Sequence, residues 1–148
     1  MHWIMTHRTI EEELALNGRC FIQTVGVSME PLLHNRKSTV IIEAKKEPLK
    51  RDDVVLYQRP NGEHVLHRII KVLDDAYIIR GDNCIWKEIV PEGWIIGVMV
   101  GFFEDEQNHY IRCGSREYQI YLKRLKWRHF IWQMRSSAGC IRKKFLSK

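Results

Sequence analysis

The chain has 148 residues, 45% of them hydrophobic, a length that suits one domain of ordinary size with terminal appendages. Its formal net charge of +6 could mean an anionic lipid, an acidic substrate or nucleic acid as partner, and where the charge sits decides among these. Cys20, Cys84, Cys113 and Cys140 form no C-x-x-C pair and no run of about 18 apolar residues occurs, so neither a zinc site, a dense disulfide framework nor a spanning helix is expected.

Residues 1–5 lack the positive start and long apolar segment of a secretory signal, so a cytoplasmic or peripherally membrane-associated protein is expected. Thr9-Ile10-Glu11-Glu12 has the form of a capping box, in which the Thr9 hydroxyl accepts from the Glu12 amide and the Glu12 carboxylate accepts from the Thr9 amide. A short helix is predicted from Ile10 to Asn17, closed by Gly18 in the left-handed conformation. The apolar run Cys20 to Val25 reads as a first strand. It leads into Val25-Gly26-Val27-Ser28-Met29-Glu30-Pro31, where Gly26 opens backbone angles closed to other residues and Pro31 directs the exit. Ser28 on such a corner is a candidate nucleophile, although an ordinary turn fits the same residues.

Further strands are predicted at Thr39–Glu43, Asp53–Gln58, His64–Leu73, Ala76–Arg80, Ile95–Phe103 and His109–Cys113. Asn61-Gly62 marks a tight hairpin, so the strand from His64 should return antiparallel to the one before it. Trp86 to Trp94 is predicted as a loop around Pro91 and Gly93, and Gly97 and Gly101 suggest a bend or bulge in the long apolar strand. Short strands with frequent turns argue for a β-barrel or a coiled antiparallel sheet.

The positive charge is concentrated in residues 116–148, where Glu117 is the single acid. Tyr118, Leu122, Leu125 and Trp132 lie near one helical face and Lys123, Arg124, Lys126 and Arg128 mostly elsewhere, which predicts a basic amphipathic helix from Tyr118 to Met134. Packing on the sheet and attachment to a membrane surface through residues 117–148 are both open, and nucleic acid is the weakest of the three readings. The expected organisation is a helical lead-in over 1–19, a core over 20–115 and a basic helix and tail over 116–148.

A serine hydroxyl needs a base to take its proton, and the base needs an orienting partner. His64 and His67 are three apart on one predicted strand, so they point to opposite faces and only one can meet the Ser28 corner. Their diverging rings make a metal site a poor reading. Gly81-Asp82-Asn83 ends the next strand with an acid.

In order, V-G-V-S-M-E-P at 25–31, D-D-V-V-L-Y at 52–57, V-L-H-R-I-I at 65–70, I-I-R-G-D-N at 78–83 and I-I-G-V at 95–98 resemble the serine peptidases of the signal peptidase I and LexA-type group. The H-R-I box is similar to the histidine-base, endoplasmic-reticulum-type branch. The resemblance implies a mainly β, partly barrel-like coiled sheet with Ser28 as nucleophile, His67 as general base and Asp82 as the acid orienting His67. The Ser28 backbone amide would help form the oxyanion hole. Glu88 stands where that branch commonly has a second aspartate, and Gly26 where many signal peptidases place a hydroxyl.

The implied function is a serine endopeptidase acting without cofactor or metal on a peptide or leader-type substrate. Two alternatives stand beside it: a self-cleaving regulatory domain of LexA type, and a non-catalytic peptide- or membrane-binding module that keeps the fold. Against the first, the stretch before Ser28 is too short for a helix-turn-helix domain. A histidine base predicts activity rising with pH through about 6 to 7.

Overall fold

The computed structural model describes residues 8–45, 48–105 and 109–145. The chain divides into two compact units, residues 1–113 and 114–148. Helix α1 (Ile10–Asn17) starts at the predicted capping box: Glu12 N–H donates to Thr9 Oγ1 at 3.1 Å and Thr9 N–H to Glu12 Oε2 at 3.0 Å. Gly18 ends it at φ 71°, its N–H donating to the Leu14 carbonyl.

Eight strands follow: β1 (Arg19–Gln23), β2 (Thr39–Ala44), β3 (Val54–Gln58), β4 (His64–Val72), β5 (Ala76–Arg80), β6 (Glu88–Pro91), β7 (Ile95–Phe103) and β8 (Tyr110–Arg112). They form one antiparallel sheet in the order β1-β2-β7-β3-β4-β5-β6, with β8 beside β7. β7 is central, with β2 along one edge and β3 and β8 sharing the other. Its register shifts beside Gly97 and Gly101, where bulges were expected.

Two expectations change. The sheet does not close into a barrel, because β1 and β6 stand at opposite ends of the path and do not pair with each other. Pro91 at the end of the four-residue β6 has no N–H for a further ladder, a feature suited to an edge. Residues 88–91, predicted as loop, pair antiparallel with β5. Val90 is fully buried in a core cluster with Val55, Tyr57, Ile69, Tyr77 and Ile79, and this burial outweighs the local turn signal of Pro91 and Gly93.

In the second unit, helix α2 (Arg116–Phe145) runs past both predicted ends. Its residues Ile120, Trp127, Phe130 and Met134, spaced seven, three and four apart, are exposed. They form an apolar stripe on a different face from the one formed by Tyr118, Leu122, Leu125 and Trp132.

Candidate active site

Ser28 sits on a corner held from several sides. Gly26 adopts φ 97° and its N–H donates to Asn35 Oδ1 at 2.9 Å, while the Leu33 N–H donates to the Met29 carbonyl at 3.1 Å. Met29, Leu32 and Leu33 are buried and anchor the corner, leaving Ser28 half-buried. The Gly81-Asp82-Asn83 turn clamps it from the other side. The Asn83 N–H donates to the Ser28 carbonyl at 2.8 Å and the Asn83 side chain to the Val27 carbonyl at 3.2 Å.

The turn approaches so closely that position 81 has no room for a side chain. A Cβ there would stand 2.6 Å from the Ser28 carbonyl oxygen, 2.8 Å from Cys84 Sγ and 3.0 Å from His67 Nε2.

β4 delivers His67 opposite Val55 of β3, and the residue is 7% exposed. His67 Nε2 lies 3.0 Å from Ser28 Oγ, so the two predicted residues are brought together. On the other side of the ring, Nδ1 lies 3.3 Å from the Tyr57 hydroxyl, which in turn donates to Glu88 Oε1. Arg59 Nη2 holds both oxygens of Glu88, at 3.2 and 3.0 Å.

Burial pushes the His67 pKa down to about 4, helped by the Arg59 charge and opposed by Asp82 and Glu63. The ring is therefore neutral at pH 7 and can accept the serine proton, and its ionisation falls below the 6 to 7 expected from the sequence. Burial raises the Glu88 carboxyl above its ordinary range and likewise raises the Cys84 thiol, which stays protonated beside the pair.

Asp82 is placed differently from the sequence expectation. Its carboxylate accepts from Arg68 Nε and Nη2, both at 2.7 Å, with each residue 1% exposed, and Arg68 Nη1 donates to the Asp52 carbonyl at 2.8 Å. The two ring nitrogens of His67 face Ser28 and Tyr57, so Asp82 acts on His67 through its charge rather than through a hydrogen bond. His64 pairs with Glu11 of α1 at 3.2 Å.

Sequence reasoning did not single out Tyr57 or Arg59. The signal was present in the hairpin: Val55 stands opposite His67, and Tyr57 is two residues along the same face.

A cleft of about 530 Å³ opens over Ser28 and His67, with Ile22, Met29, Leu33 and Leu66 among its apolar lining. Fold and site together define a mainly β protein carrying a serine–histidine hydrogen bond in a half-apolar cleft. No family model matches the chain, and no curated protein matches it either.

Proposed function

We propose that the protein is a serine endopeptidase that cleaves a peptide bound in extended form, with Ser28 as nucleophile and His67 as general base. The observation that carries this reading is the 3.0 Å approach of His67 Nε2 to Ser28 Oγ beside an open cleft, with the ring neutral at pH 7. β1 ends the sheet order and runs toward the Ser28 corner, so its outer edge suits an added peptide strand.

In the proposed reaction, Ser28 Oγ attacks the scissile carbonyl while its proton passes to His67 Nε2. The Ser28 N–H stabilises the oxyanion. His67 then gives the proton to the leaving amine as the C–N bond breaks, which leaves an acyl-serine. Water then attacks the ester as His67 takes its proton, and His67 returns that proton to Ser28 Oγ as the ester C–O bond breaks and the acid leaves. Asp82 and Arg68 hold the turn against which the pair packs.

The same proposal assigns α2 to an anionic membrane surface. Its exposed stripe of Ile120, Trp127, Phe130 and Met134 lies among exposed Arg116, Lys123 and Arg124, the mixture that settles at a lipid interface. Among the described residues, no helix is long and apolar enough to cross a membrane.

A fluorophosphonate probe tests the reading, because it labels only an activated hydroxyl. Covalent labelling of the full chain at Ser28, lost in Ser28→Ala, is the expected result. An unlabelled, folded wild type would instead favour a binding module that keeps this fold.

A further inference from the structure

Tyr57 is fully buried, yet its hydroxyl reaches two titratable groups, His67 Nδ1 at 3.3 Å and Glu88 Oε1. A hydroxyl carries one proton, and an ionised carboxylate only accepts. Burial raises the Glu88 carboxyl, but its side chain is partly exposed and Arg59 Nη2 lies within 3.2 Å of both its oxygens, a contact that favours the ionised form. The Tyr57 proton is then committed to Glu88, so the Tyr57 oxygen can only accept from the histidine. The donor at Nδ1 must be an N–H, and a neutral imidazole carries only one. Nε2 is left bare, with its lone pair 3.0 Å from Ser28 Oγ.

If the Tyr57 hydroxyl were absent, nothing in this chain of donors would prefer that tautomer. The ring could then carry its proton on Nε2, where it cannot take the serine proton. Asp82 does not select the tautomer either, since the two ring nitrogens of His67 face Tyr57 and Ser28 while Asp82 accepts from Arg68 Nε and Nη2.

We infer that Tyr57 and Glu88 are positioning residues, with Glu88 acting through the Tyr57 hydroxyl to hold His67 as the Nδ1–H tautomer with Nε2 bare toward Ser28. The catalytic meaning of this rests on the peptidase reading; the tautomer does not. Arg59 belongs to the same device as the cation that keeps Glu88 an acceptor.

The experiment uses the full chain labelled with ¹⁵N-histidine at pH 7, with the His67 signals assigned by their loss in His67→Gln. Wild type should show a protonated Nδ1 and an unprotonated Nε2. Tyr57→Phe and Glu88→Ala should each move the ring toward a mixture of tautomers. Glu88→Gln, whose amide oxygen still accepts from Tyr57, should restore the wild-type pattern. Labelling of Ser28 by the fluorophosphonate should slow about 10- to 100-fold in the first two variants and recover in the third.

Glu88 is only half-buried, so Glu88→Ala keeps the test available if Tyr57→Phe folds poorly. A wild-type tautomer pattern in both variants would overturn the inference. A tautomer that depends on Tyr57 in a protein that never reacts with the probe would uphold it and overturn the peptidase reading instead.

Discussion

Asp82 and Glu88 lie close together in the chain, and both stand near His67, but they meet different partners. Asp82 is sealed in the interior against Arg68, each 1% exposed. Glu88 sits at the boundary, its side chain 30% exposed, with Arg59 on one side and the Tyr57 hydroxyl on the other. The first carboxylate has both oxygens taken by a buried guanidinium; the second passes its acceptor strength through a tyrosine to the histidine. A carboxylate near a candidate base therefore cannot be given a role from proximity alone, because its hydrogen-bond partners decide it.

The largest effect should come from the group both carboxylates serve. Ser28→Ala should abolish probe labelling and peptide cleavage while leaving the thermal midpoint nearly unchanged, since it removes one oxygen at a half-buried corner. Comparable turnover by the mutant would remove the nucleophile assignment. His67→Ala should be about as damaging and His64→Ala far less so, because His64 pairs with Glu11 instead.

The two acids should not prove interchangeable. Asp82→Ala removes the carboxylate that accepts from two donors of the buried Arg68 and should cost about 3–5 kcal/mol in urea unfolding. Glu88→Ala should cost no more than about 1 kcal/mol, the scale of a partly exposed pair. Equal losses of stability would mean that both acids are structural.

Protonation of His67 should be visible in stability as well. Its folded pKa of about 4 lies below the ordinary 6.5, so between these values the unfolded chain binds more protons. Stability from this group is complete above about pH 6.5, falls as pH is lowered toward 4, and is lost below that. The full change is roughly 3 kcal/mol. Urea titrations at pH 7 and pH 4.5 should show a drop in the wild type that is much reduced in His67→Gln. Probe labelling should likewise stay level from pH 7 to about 5 and fall through about 4; a limb at 6 to 7 would mean that the ring is less buried than here.

Gly81→Ala should have a smaller effect on stability, about 1–3 kcal/mol, because the new methyl meets the Ser28 carbonyl and His67 Nε2. It should nonetheless slow labelling, by spreading the pair. The smallest effect per residue concerns α2, where each basic residue near anionic lipid contributes about 1 kcal/mol. The full chain should sediment with phosphatidylserine vesicles and be released by salt, and Trp127→Glu should weaken that binding without touching labelling. A full chain that ignores vesicles would remove the membrane assignment.

Short-range chemistry in the sequence determined much of this protein. The capping box at Thr9 and Glu12, the Gly18 terminus and the β3–β4 hairpin at Asn61-Gly62 all depend on residues within a few positions of one another. The mainly β character follows from the strand lengths, and Ser28 on its glycine corner was legible for the same reason. Alternation along β4 showed that one histidine could meet Ser28, and the resemblance to a peptidase family chose His67.

Tertiary structure decided what depends on distant segments. β6 exists because Val90 fills a core assembled from β3, β4 and β5, a gain no local window records. The pairing of Asp82 with Arg68, the line from His67 through Tyr57 to Glu88, and the low pKa of His67 all arise where separate strands bury polar groups together. There, a buried donor or acceptor must find a partner, and which partner it finds is set by the register of the sheet.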